Sequence, residues 1–210
     1  MKTPSADLIL LKGAPGVGKS TTAKLLAPHF PSGVRIEVDT LRQMVIFVDW
    51  TNQAEHRSLL KLSAKLAAGF IHSGHSPVIL VDTFSGDKID GFLATFREES
   101  PQSRVFVAVL HASDEVLRQR IADRDGDAFR DVSIAMRINH ESIVGAESFE
   151  TLIDTTSLAP NGVADAILAA IQTDRVDGAG DAPPLPLQTS PFTPNDQVPD
   201  PAMSIDGHSP

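Results

Sequence analysis

Short apolar runs alternate with amphipathic stretches from residue 7 to residue 173. "DLILLKG" (7–13) is an apolar run closed by glycine, and "STTAKLLAPHF" after it carries helical spacing up to a proline stop. "VRIEVDT" (34–40) predicts a second strand, and "LRQMVIFV" begins a helix. Between Asn52 and Gly74, Leu59, Leu62, Leu66 and Phe70 recur three and four apart, which predicts an amphipathic helix stopped by glycine. "SPVILVDT" (76–83) predicts a third strand, "DKIDGFLATFREE" (87–99) a helix, and "RVFVAVLHA" (104–112) a fourth strand. "SDEVLRQRIADR" opens on Ser113 in a capping position and runs as a helix. An arginine-rich segment interrupted by Asp and Gly (124–131) leads into a helix ending near Glu147. "FETLIDT" (149–155) and "APNGVADAILAAI" (159–171) predict a fifth strand and a final helix.

Strands that read as continuous apolar runs and alternate with helices predict an α/β fold: a three-layer αβα arrangement on a five-stranded parallel sheet. The carboxyl ends of such strands share one edge, where ligands bind. Asp39, Asp82 and Asp154, each followed by Thr, close three of the runs and therefore gather on that edge.

Composition changes this picture at the C-terminus. From Asp177 onward the chain holds eight of its fifteen prolines, no Lys or Arg and few large apolar residues, too little apolar surface to offset the entropy of ordering. Residues 1–176 are therefore expected to form one domain and 177–210 a disordered proline-rich acidic tail, in which "PPLP" offers a docking motif for a protein partner. The net charge is −9, and the five tail aspartates leave about −4 elsewhere, which lacks the broad basic field of a non-specific nucleic-acid binder. With no cysteine, disulfides and thiolate metal sites are excluded. The N-terminus has too short an apolar run for a signal peptide or membrane span, so a cytoplasmic location is the default expectation.

The chemistry concentrates in Gly13-Ala14-Pro15-Gly16-Val17-Gly18-Lys19-Ser20, which matches G-x-x-x-x-G-K-[ST] between a strand and a helix. Glycines let successive N–H groups turn inward around phosphate oxygens, and the helix N-terminus adds its positive end. Lys19 would span the β- and γ-phosphates of ATP, Ser20 would offer its hydroxyl to Mg²⁺, and Thr21 adjoins them in the first helical turn.

On this loop the sequence resembles the P-loop nucleoside-triphosphatase and kinase superfamily. Its size and the arginine segment after the fourth strand are similar to the small-kinase branch: polynucleotide-kinase-like, zeta-toxin-like, chloramphenicol-phosphotransferase-like and adenylate-kinase-like enzymes. The resemblance covers about residues 7–173. It implies that Asp39 of "DTLR" accepts the proton of an attacking hydroxyl while Arg42 holds the acceptor or a phosphate. It places Asp82 at the Walker B position, toward Mg²⁺ or toward the acceptor side. Thr83 stands where ATPases carry a second acid, which favours transfer to an alcohol over hydrolysis. Asp154 is expected to be a turn residue. Arg120 and Arg124, four apart on one helix face, resemble the arginine-rich lid that closes over the transferred phosphoryl group, with Asp123, Asp125, Asp127 and Asp131 able to form a competing surface ion-pair ladder.

The implied activity is Mg²⁺-ATP-dependent transfer of the γ-phosphoryl group to a hydroxyl of a small molecule such as a nucleoside, sugar-nucleotide or antibiotic. Alternatives are a polynucleotide 5′-hydroxyl kinase, disfavoured by the acidic core and scarce aromatics, and a regulatory ATP-binding ATPase without an acceptor. His72 and His75 are expected to be solvated turn residues. Trp50 serves either packing or an acceptor ring, and "TFSGDKID" after Asp82 adjoins the acceptor region.

Overall fold

The structure is a computed structural model that describes residues 6–124 and 129–177, with side chains described to residue 173. The proline-rich tail and Asp125 and Asp127 of the arginine segment lie outside the described residues. Five parallel strands carry the fold: β1 (Leu8–Lys12), β2 (Val34–Glu37), β3 (Val78–Val81), β4 (Val105–His111) and β5 (Glu150–Asp154), in the order β2-β3-β1-β4-β5. Around them lie α1 (Lys19–Leu26), α2 (Val38–Gln43), α3 (Gln53–His72), α4 (Lys88–Glu99), α5 (Asp114–Ala122), α6 (Val132–Val144) and α7 (Pro160–Asp177).

β1 is buried along its whole length because both faces are covered. Leu8 and Leu10 enter one core with Ile36, Val78, Leu80 and the inner faces of α3 and α4. Ile9 and Leu11 enter the other, with Ile79, Val81, Leu110 and side chains of α1, α5, α6 and α7. The continuous apolar reading of this strand is thus an alternation between two cores. Each such side chain contributes about 2 kcal/mol relative to exposure.

The helix after β1 joins one core and the helix after β3 joins the other, although the two strands are neighbours. The connections therefore diverge between their carboxyl ends and leave a crevice there, the usual ligand position in an open parallel sheet. The phosphate-loop motif follows β1, and Asp82 follows β3.

Three elements differ from expectation. β2 stops at Glu37, the N-cap residue of α2, so Asp39 lies in the first turn of α2 instead of closing a strand. α2 ends at Gln43, and the apolar stretch beyond it is not helical: Met44, Ile46 and Phe47 are solvent-exposed. α3 has the expected limits but a rotated face. His56, Leu60, Ser63, Ala64, Ala67 and Ala68 are buried, whereas Leu62 is 54% and Leu66 37% exposed. Small residues let the α3 backbone approach its neighbours closely, and this outweighs the larger side chains of the leucine row.

Candidate active site

The phosphate loop is shaped by backbone constraints. Gly13 has φ +142°, and a Cβ there would fall 2.2 Å from the Leu110 carbonyl oxygen. Gly18 has φ +102° and opens α1 as its N-cap without any side-chain capping bond. The first N–H groups of α1 are therefore open to an anion, with the helix dipole behind them. Ala14 and Val17 are buried and anchor the loop beneath Pro15 and Gly16, and Ser20 and Thr21 lie in the first turn of α1.

Lys19 Nζ donates to the carbonyls of Gly13 and Ala14, at 2.7 and 2.9 Å. The side chain as a whole is half-buried, but its ammonium group is enclosed by the loop, and burial lowers its pKa to about 8. The charges of Asp82 and then Asp39 oppose that shift, and Arg124 adds to it. A lysine held only by neutral oxygens, beside an uncapped helix start, is a fitting cradle for the β- and γ-phosphates of ATP. Ser20 would hold Mg²⁺.

Asp39 opens onto the crevice. Solvent reaches it from the mouth while the walls desolvate it, so its carboxyl pKa is raised, first by burial and then by Asp82. Lys19, Arg42 and His56 oppose the shift. The five groups therefore share one electrostatic environment.

Asp82 is buried and engaged on both oxygens. Oδ1 lies 3.1 Å from His56 Nε2, and Oδ2 accepts from the Phe84 N–H at 2.9 Å. Phe84 has φ +48°, a conformation costly for a bulky residue, and is held there by complete burial and an edge-on contact with Phe92. Asp82 is thus fixed by the turn it ends and by the first turn of α3. Each oxygen keeps a lone pair that could face Mg²⁺ directly or through water.

Arg42, 5% exposed, turns toward its own downstream segment. Its Nη2 donates to the carbonyls of Asp49 and Trp50, at 3.4 and 3.1 Å, and its guanidinium lies 4.4 Å over the Trp50 ring. Trp50 therefore packs against this arginine.

The expected lid pair is divided. Arg120 donates to the Thr155 hydroxyl and carbonyl, at 2.9 and 2.8 Å, and so ties α5 to the turn after β5. That hydroxyl also lies 2.9 Å from the His111 carbonyl and 3.4 Å from that of Val17, which joins the phosphate loop to β4 and β5. Arg124 donates to the Phe129 carbonyl at 3.2 Å and acts electrostatically on Lys19. Of the two, Arg124 is the one whose charge acts on Lys19. Asp154 accepts from the N–H and hydroxyl of Thr156, which holds its pKa down and makes it the expected turn residue. His72 lies 3.4 Å from the Ser100 hydroxyl, and His75 packs edge-on against Phe70.

His56, Thr155 and Lys88 belong to this edge; the sequence reading passed over His56 and held Thr155 and Lys88 only within "FETLIDT" and "TFSGDKID". His56 had a signal: it begins the buried row continued by Leu60, Ser63 and Ala67. Thr155 had none beyond its place after Asp154.

A family model described as an AAA domain matches residues 8–141. No curated protein matches the chain by sequence. Among solved structures, the tunicamycin resistance protein of Deinococcus radiodurans is similar at 23% identity and TM-score 0.62, over 79% of this chain and 95% of that one. A gluconokinase from Sinorhizobium meliloti is similar at 18% identity and TM-score 0.60, over 83% and 97%. Shikimate kinase from Acinetobacter baumannii is similar at 20% identity and TM-score 0.55, over 81% and 96%. The folds are alike, and with a family match over more than half of its length the chain belongs to the AAA domain family.

Proposed function

We propose that this chain is a Mg²⁺-ATP-dependent phosphotransferase whose acceptor is a hydroxyl on a small molecule. One observation carries the reading: Asp39 opens onto the crevice beside Lys19 with a raised pKa, while Asp82 is held by His56 and the Phe84 N–H. One carboxylate is poised to take a proton and the other is held in a fixed orientation. The naming of similar structures as a gluconokinase, a shikimate kinase and a tunicamycin resistance protein supports a small acceptor over a polynucleotide. Among the described residues no helix is long and apolar enough to cross a membrane.

In this reading Lys19 and the first N–H groups of α1 bind the donor phosphates and stabilise charge that builds on them during transfer. Mg²⁺, held by Ser20 with Asp82 as the second group on its side, would supply neutralisation of the β- and γ-oxygens. Asp39 takes the acceptor's hydroxyl proton as that oxygen bonds to the γ-phosphorus. The bond to the β–γ bridging oxygen breaks and ADP leaves. Arg124 adds positive charge from the far side.

The test is ADP release from Mg²⁺-ATP across hydroxylated sugars, sugar acids, nucleosides, sugar-nucleotides and antibiotics, with a 5′-hydroxyl oligonucleotide as comparison. Asp39→Asn is expected to lower turnover by about 10² to 10⁴ with little loss of ATP binding. Full activity in that variant would overturn the assignment of the base. Tight ATP binding that no acceptor converts into ADP release would favour the regulatory ATPase.

A further inference from the structure

The exposed apolar side chains are not spread evenly. Among the described residues, half of the large apolar side chains left exposed fall between residues 44 and 66: Met44, Ile46, Phe47, Trp50, Leu62 and Leu66. The first four lie in the connection from α2 to α3, where Ile46 is 88% and Phe47 91% exposed. Polar bonds hold the foot of this connection. Arg42 donates to the Asp49 and Trp50 carbonyls and lies 4.4 Å from the centre of the Trp50 ring. The Asp49 carboxylate accepts from the Thr51 N–H and hydroxyl, and the Asn52 side chain caps α3. The foot is fixed, and the apolar tip stands clear of it.

The outer face of α3, into which this connection runs, combines the same apolar character with positive charge. Arg57, Lys61 and Lys65 recur at four-residue spacing and are exposed. Leu62 and Leu66 form the row one residue on, about 100° further round the helix. Arg57 pairs with Asp87 at 2.6 Å and Lys65 with Glu99 at 3.5 Å, so the basic row borders α4 and the leucine row lies on the flank turned away from it. Such exposed pairs contribute little. Lys61 has no ion-pair partner among the described residues, and Glu55 is the one acid on α3. This is a local reversal of sign in a chain of net charge −9.

Single apolar side chains on a surface need no explanation, but a cluster of them beside a basic row marks a contact surface. Ile46 and Phe47 are too exposed to line a groove. A rigid partner would have to supply the whole pocket around them, whereas a fluid bilayer closes around whatever projects into it. Tryptophan at the foot suits the headgroup level, and lysine and arginine beside exposed leucines suit anionic headgroups. We infer that the connection from α2 to α3, together with the outer face of α3, is a docking surface for an anionic phospholipid bilayer. Ile46 and Phe47 enter the acyl boundary, Trp50 lies among the headgroups, and Arg57, Lys61 and Lys65 meet lipid phosphates and carboxylates. The contact is peripheral and does not depend on the identity of the phosphoryl acceptor.

The test uses the full chain with vesicles of phosphatidylcholine alone and of an equal mixture of phosphatidylcholine and phosphatidylserine, read by co-sedimentation and fluorescence. Trp50 is the chain's single tryptophan, so its emission reports on this surface without labelling. Binding to the mixed vesicles with a blue-shifted emission is expected, and salt should weaken it. Ile46→Ser combined with Phe47→Ser is expected to weaken binding by about tenfold or more, and Lys61→Glu by about fivefold. Melting temperatures at the wild-type value serve as the control for folding. Absence of binding to the mixed vesicles overturns the inference, as does equal binding by the double serine variant or equal binding to both kinds of vesicle. A dimer in sedimentation that the double serine variant abolishes, with no vesicle binding, would assign the surface to a second copy of the chain instead.

Discussion

The first turns of α1 and α4 begin alike, each with a buried or half-buried lysine behind an N-cap residue that makes no side-chain capping bond. They are built differently. The turn at Lys19 is set by nearby glycines: Gly13, whose backbone angle and closeness to Leu110 leave no room for a side chain, and Gly18, whose positive φ disfavours one. The turn at Lys88 is set by side chains distant in sequence: His56 on Asp82, Arg57 on Asp87, and Phe84 driven into the core. A site that must bind the same triphosphate can rest on a short backbone motif. A site that selects among acceptors depends on contacts that single substitutions can retune.

The contrast can be broken most strongly at the donor end. Lys19→Met removes the one ammonium group in the loop and is expected to lower turnover by about 10³, read as kcat for ADP release at saturating ATP. An effect of less than tenfold would mean that the loop backbone and Mg²⁺ suffice, and that the two lysines are not analogous.

A smaller effect tests the acceptor end. His56→Phe keeps an apolar ring in the buried row of α3 but deprives Asp82 Oδ1 of its partner, which is expected to cost about 2 kcal/mol in urea unfolding. His56→Gln, which retains a donor, should recover part of it. Nucleotide affinity should stay near wild type in both, because the phosphate loop has its own supports. Loss of nucleotide affinity in His56→Phe would show that the halves are not independent.

The smallest effect is a pH dependence of nucleotide binding. Free Lys19 has a pKa near 8, lowered by burial, and bound phosphates raise it. Affinity should therefore be full below pH 8 and fall as pH rises past it, by about tenfold at pH 9, with proton uptake detectable by calorimetry in buffers of different ionisation enthalpy. For folding the sign is opposite. The lowered pKa means that the contribution of Lys19 to stability is full above its unfolded value and lost as pH falls through about 8.

Much of the fold was legible because its signals are local. Each strand is a short apolar run, and the caps at Asn52 and Ser113 are single side chains bonding three residues ahead. The end of β2 was less legible: "VRIEVDT" continues to look extended, but Val38 is taken into a helix while still buried in the core. The leucine row of α3 was equally persuasive, and nothing local shows that a row headed by a histidine and filled with alanines would face inward.

The site divides in the same way. Gly13 to Ser20 could be read from spacing because a phosphate cradle is one loop and one helix turn. The position of Asp39 beside Lys19 depends on the strand order β2-β3-β1, which brings Asp82 between them. Arg120 and Arg124 looked equivalent at four residues apart, yet one is held by Thr155 and the other by the Phe129 carbonyl, from where its charge acts on Lys19.

By itself the sequence determined the layered α/β class and the donor chemistry, since both follow from backbone preferences and burial within short windows. The tertiary structure decided which charges stay paired and which do not. Asp82, Asp87 and Arg120 have fixed partners, whereas Lys19 and Lys88 meet only neutral oxygens and Arg42 neutral oxygens and the Trp50 ring, because pairing depends on which strand ends and helix turns the folded sheet brings together.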